Sequence, residues 1–257
     1  MWNGKEVSVV LPTFAERDSI RSVIEDFLAT GVVDEVVVVD NNAVAGTEAE
    51  VRRTRARLVR EPRQGYGHAI RRGLLEARGD LIVISEPDGT FLPKDIAKLL
   101  VYSSECDVVL GTRTTRELIW TDANMDWFLR WGNWAVAKLI EVLFNTTHLS
   151  DVGCTYRVLR RPVAERIAAA MRVGGSHAGV EMMLLTVTGG VRYVEVPLNY
   201  LPRVGTSSVT GKRLVAIEVG LRMIALILRF RRRSPRRLIR PEAFVVARSE
   251  EHEQLPL

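Results

Sequence analysis

The sequence predicts an α/β fold, a mainly parallel sheet flanked by helices. Short β-branched runs end in polar or turn-forming residues, and amphipathic segments alternate with those runs. Apolar residues make up 47% of the 257 and charged residues 26%, which predicts a packed core and excludes a disordered chain.

Residues 6–12 (EVSVVLP) read as a buried strand stopped by proline. Residues 16–29 fit an amphipathic helix with Ile20, Val23, Ile24, Phe27 and Leu28 on one face. A second strand, residues 35–39 (EVVVV), ends in the polar turn Asp40-Asn41-Asn42, and residues 56–60 read as a short third strand. Gly65-Tyr66-Gly67 opens a helix to residue 78. A further strand, residues 80–85 (DLIVIS), ends at Glu86-Pro87-Asp88-Gly89. Residues 93–103 read as a helix with proline in its first turn, and residues 107–110 as a strand. The second half is less regular. Helices are expected over 124–144 and 178–188, and strands over 154–160 and 191–201. The small-residue stretch 205–211 (GTSSVTG) reads as a loop.

Residues 214–230 form an apolar helix whose Glu218, Arg222 and Arg229 share one narrow stripe. Three charges argue against a membrane-spanning helix. The alternatives are a helix lying in the membrane interface and one packed on the sheet or between two copies. Seven arginines and no acid lie in residues 229–240, more positive charge than the net +5 of the chain. The basicity therefore belongs to this segment and suggests an anionic partner for it, membrane headgroups or nucleic acid. Three regions are expected: a catalytic domain over 1–211, the apolar helix with its arginines over 212–240, and a disordered tail over 241–257. Two cysteines, Cys106 and Cys154, are too few for a disulfide framework. The first residues lack a basic stretch followed by an apolar core, so a cytoplasmic protein is expected, held on the inner face of the membrane if the helix anchors it.

Three polar clusters fall at predicted strand ends: Pro12-Thr13 with Glu16, Asp40 with Asn42, and Glu86 with Asp88. In an open α/β sheet such ends converge on one crevice, where a nucleotide can bind. Two carboxylates two residues apart after an apolar strand offer oxygen ligands to a hard cation such as Mg²⁺ or Mn²⁺. The bland alternative for Glu86-Pro87-Asp88 is a capped turn. Gly65 and Gly67 allow close approach of backbone to an anion at a helix N-terminus, and the bland alternative is a plain turn.

These clusters, in this order, resemble the family 2 glycosyltransferases of the GT-A fold. The match reads Pro12-Thr13-Phe14-Ala15-Glu16, Asp40-Asn41-Asn42, Gly65-Tyr66-Gly67-His68-Ala69 and Glu86-Pro87-Asp88. Glu86 stands where the family usually has the first aspartate of D-x-D, and Asn41-Asn42-Ala43 replaces the usual D-G-S. Downstream, Gly111-Thr112-Arg113, Ser150-Asp151 with Arg157, Glu181-Met182, and Val196-Pro197 with Arg203, Gly205 and Ser207 resemble the dolichyl-phosphate mannose synthase-like branch. The resemblance spans about residues 6–212. It implies metal-dependent, inverting transfer of a sugar from a UDP- or GDP-sugar to a polyprenyl phosphate.

On that reading Pro12, Thr13, Glu16, Asp40, Asn42, Gly65, Gly67, Glu86 and Asp88 bind the donor, with Asp88 and Glu86 at the metal. Arg113, Arg157, Glu181, Arg203, Ser207 and Lys212 receive the acceptor. Asp88, Asp151 and Arg157 are the catalytic candidates. Asp151 serves as general base if the acceptor is a hydroxyl on a glycan or small metabolite. A nucleotidyltransferase usually carries a glycine-rich phosphate loop after the first strand, where this chain has Pro12-Thr13-Phe14. A non-enzymatic membrane or nucleic-acid binder explains the arginines but not the carboxylates, and no nucleic-acid partner is expected.

Overall fold

The computed structural model describes residues 1–121, 123, 127–205 and 213–233. The expectations for Ser207, Lys212, most of the 205–211 loop, the arginines beyond residue 233 and the tail lie outside the described residues.

One seven-stranded sheet runs in the order β3-β2-β1-β4-β6-β5-β7. Its strands are β1 (Val7–Thr13), β2 (Glu35–Asp40), β3 (Arg57–Arg60), β4 (Leu81–Ile84), β5 (Val108–Thr112), β6 (Arg157–Arg160) and β7 (Tyr193–Pro197). All pairings are parallel except those of β6, which is antiparallel to both β4 and β5. The α-helices among the described residues are α1 (Arg17–Ala29), α2 (Thr47–Arg52), α3 (Tyr66–Glu76), α4 (Ile96–Val101), α5 (Trp127–Phe144), α6 (Arg161–Ala170), α7 (Ala178–Thr188) and α8 (Arg213–Arg233).

Strands β1, β2, β4 and β5 are buried on both faces, which is why they read as near-continuous apolar runs. Val7, Val9 and Leu11 of β1 pack with Ile20, Ile24 and Phe27 of α1 and Leu99 of α4. Val10, Val37 and Val39 face the other way, toward Ile70 and Leu74 of α3 and the layer that includes α6 and α7. In α8, Met223, Leu226, Ile227 and Phe230 pack on this second layer, while Ile217, Leu221 and Leu228 stay exposed. One side of the helix is thus a packing face and the other an open apolar face.

Several boundaries differ from the sequence reading. Pro12 does not stop β1, which runs on to Thr13. On its β4 side the pairing ends at Val10, so the missing N–H of Pro12 disrupts no ladder there. Paired strand covers only 157–160 and 193–197 of the two longer runs expected. Two helices, α2 and α6, lie where the sequence reading placed none. In α2 only Thr47 and Val51 are buried, and α6 follows β6 directly, with Pro162 in its first turn.

Candidate active site

The chain builds β1, β2 and β3 outward in one direction, then crosses to the other side of β1 for β4. The switch point lies between β1 and β4, and ligands of open α/β sheets bind beyond the carboxyl ends of such a pair. Thr13 ends β1 and Glu16 follows it there, and Glu86 and Asp88 follow β4. The Ser19 hydroxyl of α1 donates to the Pro87 carbonyl at 2.7 Å and ties the two turns together.

Glu16 turns its carboxylate back on its own loop. Oε2 accepts the N–H groups of Phe14 (2.8 Å) and Ala15 (2.9 Å) and the Thr13 hydroxyl (3.3 Å). Asp88 is buried, and its Oδ1 accepts both the N–H (3.0 Å) and the hydroxyl (2.6 Å) of Thr90. The outer oxygens of both acids meet one cation. Arg203 donates from Nη2 to Glu16 Oε1 at 2.8 Å, and its Nη1 lies 3.1 Å from Asp88 Oδ2. Arg203, expected among the acceptor groups, therefore sits with the donor-side carboxylates. Glu86 accepts the Tyr66 hydroxyl at 2.7 Å. Burial and the neighbouring Asp88 charge push the Glu86 carboxyl up to about 7.

On the other flank, Asp40 accepts the Ala43 N–H at 2.7 Å. Asn42 takes a left-handed backbone (φ 58°) and donates to the Gln64 side chain at 2.9 Å. The buried Asn41 does more to shape the crevice: it donates to the carbonyls of Glu61 and Arg63 (both 2.8 Å) and accepts the Gly65 N–H (2.8 Å). Close packing against the 173–174 backbone requires glycine at both Gly65 and Gly67. A Cβ at Gly65, where φ is 141°, would lie 2.2 Å from the Gly174 carbonyl oxygen, and one at Gly67 2.1 Å from that of Val173. Glu181, expected to face the acceptor, holds that 172–174 segment. Its buried carboxylate accepts the N–H groups of Arg172 (3.0 Å) and Val173 (2.8 Å).

A second cluster lies beside the first, joined to it by Tyr200, whose ring underlies the Arg113 guanidinium at 5.1 Å. Asp151 is fully buried and accepts from Arg113 N (3.0 Å), Nε (2.8 Å) and Nη2 (3.0 Å) and from Gly153 N (2.9 Å). Burial works against its charge, but the Arg113 guanidinium prevails and holds the Asp151 carboxyl below its ordinary range. A general base needs a free lone pair and a pKa near the working pH, so Asp151 is not placed to be one. Arg157 is likewise internal: it donates to the carbonyls of Cys154 (2.9 Å) and Gly179 (2.8 Å), and burial lowers its pKa. Neither Arg157 nor Glu181 faces the crevice as an acceptor contact.

Residues 8–168 match the family described as glycosyl transferase family 2. The chain belongs to this family. An uncharacterised glycosyltransferase of Mycobacterium tuberculosis is 30% identical over 209 residues, covering 80% of this chain and 89% of the relative. A dolichyl-phosphate hexose transferase of Haloferax volcanii is 29% identical, covering 78% and 85%. Among solved structures, the glucosyl-3-phosphoglycerate synthase of Mycobacterium tuberculosis, in complex with Mn²⁺, UDP and phosphoglyceric acid, superposes with a TM-score of 0.67. It is 20% identical and the match covers 89% of this chain and 78% of that one, a likeness of fold.

A divalent cation fits this family 2 glycosyltransferase at Asp88 and Glu86. Both are hard oxygen donors, and the one Asp88 oxygen not bonded to Thr90 already faces a cation, the Arg203 guanidinium. Ser85 Oγ and Arg203 Nε are buried beside the turn without a hydrogen-bond partner among the described residues. Those residues contain no group of three His, Cys, Asp or Glu placed to hold a metal. Two carboxylates suit a cation that takes its remaining ligands from a diphosphate and water.

Three features escaped the sequence reading. The Tyr66 side chain lies inside a glycine motif. Asn41 stands where the family has a second acid. Glu195 is a carboxylate between two valines of β7, and it accepts the N–H (2.8 Å) and hydroxyl (2.8 Å) of Ser150 and the N–H of Asp151 (3.3 Å). Only Glu195 carried a signal, an acid inside an apolar strand.

Proposed function

We propose that the chain moves a sugar from a UDP- or GDP-sugar to a polyprenyl phosphate, with Mg²⁺ or Mn²⁺ held by Asp88 and Glu86. The observation that carries this reading is Asp88 at the β1–β4 switch point, whose outer oxygen already faces the Arg203 guanidinium, with the Glu86 carboxyl two residues before it. The metal supplies Lewis-acid stabilisation of the departing nucleoside diphosphate. Thr13, Asp40 and Asn42 line the crevice for the nucleoside, and Asn41 and Glu181 brace the floor under α3. An acceptor phosphate oxygen forms the new bond to the anomeric carbon as the bond to the diphosphate breaks. That oxygen is anionic at neutral pH and needs no general base, which agrees with the full occupancy of Asp151. A hydroxyl acceptor would need a base.

The lipid acceptor is favoured by the relative that is a dolichyl-phosphate hexose transferase, and by the exposed Ile217, Leu221 and Leu228 of α8. No helix among the described residues is long and apolar enough to cross a membrane. In this reading residues 1–211 are the catalytic domain, residues 212–240 lie on an anionic membrane, and Ser207 and Lys212 meet the acceptor. A second reading, a small phosphorylated acceptor, is favoured by the fold shared with glucosyl-3-phosphoglycerate synthase.

The test is a panel of UDP- and GDP-sugars with Mn²⁺ against a short polyprenyl phosphate and 3-phosphoglycerate, read by nucleotide release, product mass and anomeric configuration. Lipid product with inverted configuration is expected. Product on 3-phosphoglycerate alone would replace the lipid reading with the second. Flotation with anionic liposomes tests the anchor: binding should fall with salt and with removal of residues after Val209. Equal flotation of both forms, or none, would remove the membrane claim.

A further inference from the structure

Arg203 occupies a position that the transfer reaction does not explain for a ligand-free protein. Its guanidinium bridges Glu16 and Asp88, whose side chains are 10% and 3% exposed, and is itself 19% exposed. The backbone sets it there, since Val204 N–H donates to the Asp88 carbonyl and Leu201 N–H to the Thr90 carbonyl, both at 2.9 Å. Thr90 takes Asp88 Oδ1 twice, so Oδ2 is the oxygen open to a cation, and Arg203 is on it. The arginine is held by charge but not fully satisfied. Its Nε is buried without a partner among the described residues, a cost that a hydrated ion bringing its own ligands does not bear.

We propose that Arg203 is an internal counter-cation that competes with the divalent metal for Asp88 and moves onto the donor diphosphate when the metal enters. The inference rests on the metal-and-donor reading above. Two cations cannot share one carboxylate oxygen without strong repulsion, so the metal must displace the guanidinium. Left unpaired, a buried guanidinium is costly, but a diphosphate offers it charge-assisted, bidentate partners. Metal alone therefore binds weakly, metal and nucleotide bind cooperatively, and Arg203 is the residue through which the two are coupled.

Mn²⁺ binding, followed by the electron paramagnetic resonance of the free ion, tests this without turnover. Wild type, Arg203→Gln, Arg203→Lys and Asp88→Asn are titrated with Mn²⁺ alone and again with UDP or with GDP. Arg203→Gln should bind Mn²⁺ alone about tenfold or more tightly than wild type, and nucleotide should enhance its binding less. Lysine keeps the charge but reaches one carboxylate, so Arg203→Lys should fall between them; it also serves if Arg203→Gln does not fold. Equal or weaker Mn²⁺ affinity in the Arg203 variants, with binding still lost in Asp88→Asn, overturns the counter-cation role alone. Binding unchanged in Asp88→Asn, or undetectable in every protein with either nucleotide, overturns the metal site and the counter-cation with it.

Discussion

Replacing Glu195 with glutamine should change how stability depends on pH. The carboxyl is packed under Ser150 and beside the Asp151–Arg113 pair, and burial, only partly offset by the Ser150 hydrogen bond, pushes it up to about 7. In the unfolded chain a glutamate loses its proton near 4.3. The folded form thus binds a proton more tightly, and this contribution is fully present below about pH 4.3 and is lost as pH rises through about 7. At about 1.4 kcal/mol per pH unit, the loss is roughly 4 kcal/mol at most. Glutamine stays neutral throughout. It keeps an oxygen for Ser150 and gives up only the 3.3 Å bond from Asp151, a cost of about 1 kcal/mol. Glu195→Gln should therefore be slightly less stable than wild type at pH 4.5 and more stable by pH 8. Urea unfolding of both proteins from pH 4.5 to 8.5 measures the difference directly, and every other titrating group, Glu86 included, cancels to first order. A difference that stays flat across this window, or that moves in favour of wild type as pH rises, would refute the assignment of a half-buried Glu195 whose carboxyl is raised to about 7.

Asp88→Asn should lower transfer about a hundredfold or more, since several kcal/mol of cation stabilisation are lost. Turnover near wild type over a Mn²⁺ titration would sink the metal assignment. Asp151→Asn leaves Arg113 buried beside a neutral partner, and should cost about 3–5 kcal/mol in chemical unfolding; a loss under about 1 kcal/mol would mean the pair is better hydrated than its burial implies. Gly67→Ala places a Cβ 2.1 Å from the Val173 oxygen and should destabilise by at least about 1–3 kcal/mol, with an unchanged melting curve as the contrary result.

The sheet was legible in the sequence because strands β1, β2, β4 and β5 are buried on both faces, so β-branched runs such as EVVVV and LIVI announce themselves without help from their neighbours. The donor-side acids were legible for a related reason: a polar residue directly after such a run has to emerge at the sheet's edge. What sequence spacing does not carry is the partner of a side chain. Arg157 and Glu181 read as acceptor groups by resemblance, yet each is consumed by backbone groups, Arg157 by the Cys154 and Gly179 carbonyls and Glu181 by the Arg172 and Val173 amides. Arg203 reads as an acceptor group by resemblance, and its contact with Glu16, 187 residues away, is invisible in the sequence because only the fold brings the turn after β1 and the segment after β7 together.

The antiparallel insertion of β6 has a consequence during synthesis. Strands β1 to β4 come from residues 7–84 and can pair as they emerge, but the free edge of β4, Leu81 to Ile84, is covered only by β6 at residues 157–160. At about 5–20 residues per second the ribosome needs roughly 4–15 s to make the intervening chain. For that interval a fully apolar edge, flanked by Val7 to Val10 of β1, is open to other chains. Ribosome-bound chains ending near residue 120 should accordingly recruit holdase chaperones and bind hydrophobic dyes, whereas chains extended far enough to expose residue 170 outside the tunnel should bind much less. Equal dye binding by the two lengths would mean that the edge is shielded before β6 arrives.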